Sequence, residues 1–189
     1  MDGTERGPGH ESAALLDASA LDRTLRRMAQ EILERHPAGA LLALIGIPSR
    51  GVELASRLAG LMAEVGMGEA PFCGSVDVSM HRDDLHARRR VTAVEPTRLP
   101  SSLAGRTVIL VDDVLQSGRT CRAAMDSLSS FGRPARIEYA VLIDRGLREL
   151  PIAADYVGRR VETTLGERVF VRLRPVDVEE GVWLERKSR

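Results

Sequence analysis

Twice in this chain an apolar run of strand length passes through a short polar loop containing glycine into a segment of helical spacing. ALLALIGI (40–47) leads through PSRG into VELASRLAGLMAEVG, and TVILV (107–111) leads through a longer loop into TCRAAMDSLSSFG. A third apolar run, ARIEYAVLI (135–143), follows the second helical segment. Runs that are apolar at consecutive positions suit strands covered on both faces, whereas a one-sided sheet would alternate. Strands alternating with helices are joined by right-handed crossovers into a parallel sheet. The pattern predicts an α/β fold with a central, mostly parallel sheet flanked by helices.

The flanking segments are read the same way. SALDRTLRRMAQEILERHPAG places Leu21, Leu25, Met28, Ile32 and Leu33 at helical spacing, with Ser19 as N-cap and Pro37 as the stop. GSVDVSM (74–80) alternates as a strand with one buried face. Residues 81–106, containing HRDDLHARRR and two prolines, lack periodicity and are long enough to suggest a functional, flexible loop. After Asp144 come short strand-like pieces near 155–161, 168–173 and 182–184, which suggest an appended C-terminal β hood rather than another crossover unit.

A chain of 189 residues can form one domain, taken here as 15–189, behind a tail of residues 1–14 rich in Gly, Glu and Ser that is expected to be disordered. With 27 basic and 27 acidic side chains, any polyanion has to be held by a local patch. Two cysteines, Cys73 and Cys121, are too few for a disulfide framework or a four-thiolate zinc site, which fits a reducing, cytoplasmic setting. No basic-then-apolar leader pattern occurs, and no apolar run approaches the ~20 residues of a membrane span.

The chemistry concentrates in VILVDDVLQSGRT (108–120). A strand feeding a glycine loop that opens a helix presents backbone N–H groups at the positive end of the helix dipole, a natural seat for phosphate. Gly118 allows close backbone approach, and Ser117 and Thr120 add hydroxyl donors. Asp112 and Asp113 share the phosphate's charge and need another role, accepting hydrogen bonds from vicinal sugar hydroxyls at the C-terminal end of the strand. Together these describe a site for a ribose 5-phosphate. Other phosphate loops fit less well: there is no GxGxxG, and GIPSRGV has Val52 where a nucleotide-binding lysine would stand.

The same thirteen residues resemble the phosphoribosyl pyrophosphate (PRPP) signature of type I phosphoribosyltransferases. GIPSRGVELASRLA, SMHRDDL, VDDVLQSGRTCRAAMDSL, FGRPARIEYAVLIDRGLRELPIAADYVG and ERVFVRL extend the resemblance, in order over about 17–175, to the pyrimidine operon attenuation regulators that are also uracil phosphoribosyltransferases. The resemblance implies conversion of uracil and PRPP to UMP and pyrophosphate, with Mg2+ accompanying PRPP, and UMP-dependent binding to pyrimidine operon leader mRNA. It assigns Asp112 and Asp113 to the ribose and to catalysis, Gln116, Ser117, Gly118, Arg119 and Thr120 to the 5-phosphate, with Val114 and Leu115 also in the PRPP site, and Ser49, Arg50 and Gly51 to pyrophosphate. Arg82, in the RDD that opens the long loop, is assigned to catalysis. Asp144, Arg145 and Gly146 are assigned to uracil, partly through backbone groups. Arg26, Arg27, Arg145, Arg148, Arg159 and Arg160 are assigned to RNA. A homodimer or larger homo-oligomer is also implied.

Several positions depart from the usual pattern. Gln116-Ser117 replaces an aromatic and a threonine, keeping a hydroxyl before Gly118. His81 replaces a tyrosine, Leu147 a histidine, Gln30 a histidine, and Arg159-Arg160 stand where a lysine and an asparagine are usual. These changes fall on the proposed nucleic-acid contacts more than on the PRPP loop, so the expectation is retained substrate binding with altered or lost attenuator recognition. Two alternatives stay open: an RNA-binding regulator with little turnover, or a type I transferase acting on another base.

Overall fold

The computed structural model describes residues 10–36, 40–78 and 96–187. Two sheets are present among them. In the larger, β2 (Leu42–Gly46), β3 (Phe72–Ser75), β4 (Thr107–Leu115), β5 (Arg136–Asp144) and β6 (Tyr156–Arg160) are all parallel, in the order β3-β2-β4-β5-β6. In the smaller, β1 (His10–Leu16), β7 (Glu167–Arg172) and β8 (Gly181–Lys187) are antiparallel, in the order β1-β8-β7. Helices α1 (Ala18–Arg35) and α2 (Arg50–Met62) cover one face of the larger sheet, and α3 (Arg119–Ser129) covers the other.

The central strands are apolar because both faces are packed. Leu42, Leu44, Ile109 and Val111 join the α1 and α2 side chains, while Ala43, Ile45, Val108 and Leu110 join those of α3. Each large aliphatic side chain removed from water there contributes about 1.5–3 kcal/mol. Val171, Leu173 and Val182 of the hood complete the α1–α2 core, so the hood is packed onto that side of the sheet.

Four expectations need correction. Residues 10–14 of the expected tail belong to β1, where Ala13 pairs Leu184 and Ala14 pairs Trp183, a ladder that no local pattern announces. The α1 N-cap is Asp17 rather than Ser19, since its carboxylate accepts from the Ala20 amide at 2.7 Å. The third strand spans 72–75 rather than 74–80, because its ladder partner β2 ends at Gly46 opposite Ser75. The piece at 155–161 is not part of the hood: β6 joins the larger sheet as a fifth parallel strand, with Ala140 opposite Tyr156 and Asp144 opposite Arg160.

From Pro96 onward the segment expected to be loop is attached to the sheet. Ser75 and Arg98 form an antiparallel bridge, and the Asp77 amide donates to Thr97 Oγ1 at 3.0 Å. No helix among the described residues is long and apolar enough to cross a membrane.

Candidate functional site

Strand β4 continues to Leu115, four residues past the expected end at Val111, because β5 pairs with it as far as Asp144. Both acids therefore lie within a strand, with their carboxyls close enough to repel one another. Asp112 is buried on the face that carries Tyr139, whose hydroxyl donates to Asp112 Oδ2 at 3.1 Å. The Asp113 amide donates to Asp112 Oδ1 at 2.9 Å. Asp113 is half-buried, and its Oδ1 accepts from the Val114 amide at 2.8 Å. Burial, then repulsion from Asp113, pushes the Asp112 carboxyl well above the usual carboxylate range.

The loop after β4 is braced from one direction. Gly118 has φ 91°, a left-handed turn that L side chains rarely adopt, and a Cβ there would lie 3.2 Å from Ile152 Cβ. The Ser117 carbonyl accepts from the amides of Glu149 and Leu150 at 3.1 and 3.0 Å, and the Gln116 carbonyl accepts from Arg148 at 2.9 Å. Arg119 Nε donates to Glu149 Oε2 at 2.7 Å. With its carbonyls held by the 148–150 turn, the loop turns into α3, whose Arg119 amide donates to Ser117 Oγ at 3.3 Å; the amides that follow have no intrahelical acceptor, the arrangement that suits an anion. Ser117 and Thr120 are half-buried in the same turn. Cys121, one residue on, is buried, and its thiol is pushed up to about 12, so it packs rather than reacts.

The Ser49–Gly51 loop lies against the acids. A Cβ on Gly51 would collide with the Val111 carbonyl oxygen and come within 3.3 Å of Asp112 Cα, and the Ile47 amide donates to Val111 O at 2.9 Å. The Pro48–Ser49 peptide bond is cis. Arg50 points toward the hood segment: its Nε and Nη2 donate to Asp177 Oδ2 and Oδ1 at 3.0 and 2.8 Å. Burial alone would raise the Asp177 carboxyl, but the hydrogen bonds from Arg50 and the Leu173 amide hold it below the ordinary value. Asp177 was not foreseen. It sits in VDVEE, where nothing local distinguishes it from its acidic neighbours.

Of the residues expected at the base, Asp144 and Gly146 lie beside the phosphate loop. Asp144 Oδ1 accepts from the Gly146 amide at 3.0 Å and pairs with Arg148 at 2.6 Å. Gly146 and Leu147 both have positive φ, 70° and 59°, which turns the chain sharply back over Gln116 and Ser117. The Arg145 side chain is elsewhere. It is 5% exposed and donates to Thr163 Oγ1, Thr164 O and Glu167 O at 3.0, 3.0 and 2.7 Å, anchoring the start of β7. It is withdrawn from both the base and the RNA surfaces expected of it, because these three acceptors engage its donors.

The other arginines expected at RNA divide. Arg27 of α1 donates to the carbonyls of Val157 and Gly158 on β6 at 3.0 and 2.5 Å, and Arg159 donates to Leu15 O, so these two tie elements together. Arg26 is paired with Asp22 and Glu64. Arg148 is half-buried in the 144–152 turn, and Arg160 is exposed on β6 opposite Asp144. Arg82 and His81 lie outside the described residues.

Among the described residues no group of three histidines, cysteines, aspartates or glutamates is placed to hold a metal.

A family model described as a phosphoribosyl transferase domain matches residues 11–171. Bifunctional protein PyrR of Roseiflexus sp. (strain RS-1) is 49% identical over 175 residues, covering 92% of this chain and 95% of that protein. Bifunctional protein PyrR of Chloroflexus aurantiacus is 49% identical over 174 residues, with coverages of 92% and 95%. Among solved structures, a hypoxanthine phosphoribosyltransferase from Staphylococcus aureus aligns over 100% of this chain and 98% of its own, with a TM-score of 0.68 at 16% identity. The hypoxanthine phosphoribosyltransferase of Trypanosoma cruzi covers 93% of this chain and 97% of its own, with a TM-score of 0.67 at 18% identity. At these identities the solved structures speak for the fold alone.

Proposed function

Because the chain belongs to the phosphoribosyl transferase domain family, we propose that it joins uracil to the ribose of PRPP, releasing pyrophosphate and UMP, and that it regulates pyrimidine operon expression. The observation that carries the reading is the junction of β4 and α3. An anion loop, an acid pair and the Ser49–Gly51 loop meet there within the span matched by PyrR relatives. In a ribosyl transfer positive charge develops at the sugar carbon and negative charge on the departing pyrophosphate, and one site must stabilise both.

In this reading the amides at the α3 start, with Ser117 and Thr120, hold the 5-phosphate. Asp112 and Asp113 accept the ribose hydroxyls and stabilise positive charge developing at the anomeric carbon as its bond to pyrophosphate breaks. The Ser49–Gly51 amides and the Arg50 Nη1 edge, which Asp177 does not use, receive pyrophosphate. Backbone groups at Asp144 and Gly146 read the base. Phosphoribosyltransferases generally use Mg2+ with PRPP, where it neutralises the leaving group. In this reading the ion enters with its substrate.

The regulatory half of the reading places leader mRNA on the α1–β6 edge, where Arg26 and Arg27 belong to α1, Arg27 reaches the Val157 and Gly158 carbonyls, and Arg159 and Arg160 follow on β6. Asp22, Glu31 and Glu64 offset part of that charge. A cytoplasmic homo-oligomer is part of the same proposal. The deciding experiment offers uracil, orotate, hypoxanthine and guanine with PRPP and Mg2+. Turnover with uracil alone supports the reading; turnover with another base replaces it; PRPP binding without turnover leaves a regulator only. Gel-shift titration with the operon leader, with and without UMP, tests the RNA half, and binding indifferent to UMP removes it.

A further inference from the structure

Tyr139 stands on β5 opposite Leu110, yet its hydroxyl reaches one pleat along β4 to Asp112. It is 4% exposed, its own amide is held by Asp155 Oδ2 at 2.9 Å, and its ring is packed in the core beneath α3. The Asp112 carboxylate thus has one oxygen on the Asp113 amide and the other on the Tyr139 hydroxyl. A carboxylate oxygen has two lone pairs, so one on each oxygen is left for a ligand. Among the described residues no lysine, arginine or histidine pairs with Asp112.

We infer that Tyr139 is a positioning residue for sugar binding: its hydroxyl fixes the orientation of the Asp112 carboxylate so that the remaining lone pairs are presented to a ribose hydroxyl. The inference rests on the reading of Asp112 and Asp113 as ribose ligands. The physical reason is rotational. A buried aspartate held only by the neighbouring amide can swing about its terminal torsion, which is broad. A second hydrogen bond, from a ring wedged in the core, removes that freedom before the substrate arrives. The same bond favours the charged form of Asp112, which the nearby Asp113 carboxyl and Cys121 thiol cannot.

The test is Tyr139→Phe in the full chain, which deletes one oxygen and keeps the ring. PRPP affinity with Mg2+ is measured by calorimetry from pH 6 to 9, beside Asp112→Asn and the double variant. Loss of a hydrogen bond to a carboxylate predicts PRPP affinity about tenfold weaker at neutral pH. It also predicts a pH midpoint for binding moved upward, because Asp112 then takes a proton more readily. On the Asp112→Asn background the tyrosine change should add less than about twofold. Unchanged affinity and midpoint in Tyr139→Phe, with affinity lost in Asp112→Asn, would overturn the positioning role while leaving the site intact. Unchanged affinity in Asp112→Asn and in Asp112→Asn/Asp113→Asn as well would overturn the site reading itself.

Discussion

Glu138 and Tyr139 are neighbours on β5 and face opposite sides of the sheet, and each belongs to a buried pair of a carboxylate with a tyrosine. On the α1 side, Glu138 Oε2 accepts from Tyr156 at 2.7 Å and meets His36 Nε2 at 2.8 Å, and Arg136 approaches its other oxygen at 3.3 Å. Arg35 lies 4.7 Å over the Tyr156 ring. On the α3 side, Asp112 has one tyrosine, one amide and an acidic neighbour. Burial acts upward on both carboxyls. For Glu138 the hydrogen bonds from Tyr156 and His36 outweigh it and hold the group below its ordinary value, whereas for Asp112 nothing does. Glu138 is surrounded by donors and a cation, as an acid that stabilises the fold should be, while Asp112 is left short of partners, as the proposed role at a ligand requires.

The largest expected effect separates the two by removing the compensated acid. Glu138→Ala leaves the Tyr156 hydroxyl and the His36 ring without their acceptor in a dry interior, at a cost of about 3 kcal/mol. Urea denaturation should show that loss, and PRPP affinity of the folded fraction should stay within about twofold. A large affinity change would mean that the two networks communicate through β5, and the contrast would fail.

The second effect has the opposite sign. Asp112→Asn removes a buried carboxylate whose folded-state titration lies above its unfolded value. A group raised in this way contributes stability below its unfolded pKa and loses it as pH rises toward the folded pKa. The asparagine does not titrate, so the variant should be more stable than the parent at pH 8, by about 1 kcal/mol or more, and no more stable near pH 3. Glu138, whose carboxyl is lowered, behaves inversely: its contribution is present above the unfolded pKa and disappears as pH falls through the folded one. Thermal melts of Asp112→Asn and Glu138→Gln against pH should therefore cross the parent's curve from different sides.

Much of the framework on which these networks sit was legible in local sequence. β2, β4 and β5 contain continuous apolar runs, and the loop that follows β4 is contiguous, so the expectation of an anion site there rests on residues 112–120 alone. β6 was misplaced because YVGRR buries only Tyr156 fully, and a strand at a sheet edge with exposed arginines has no strong period. β1 is defined by β8, 165 or more residues away, rather than by ESAALL itself. Asp17 and Ser19 are both good caps, and only the position of the Ala20 amide decides between them. The supporting residues of the site, Tyr139, Asp177 and Glu149, reach it from other elements. Tyr139 offered one hint: a buried tyrosine needs a partner for its hydroxyl, and ARIEYAVLI contains none at strand spacing on that face.

The smallest expected effect asks what kind of compensation holds Glu138. Arg136 is exposed over 68% of its side chain, while His36 and Tyr156 are buried, so the Coulomb attraction from Arg136 is screened by water and the hydrogen bonds are not. Arg136→Gln should cost about 0.5 kcal/mol or less, and about 0.5 M salt should remove most of the difference between variant and parent. His36→Phe, by contrast, should cost several times more and be insensitive to salt, because a buried donor has been lost. If the two variants proved equally costly and equally salt-dependent, charge rather than hydrogen bonding would be the compensation on this face. Asp112 would then differ from Glu138 in the absence of nearby cations alone.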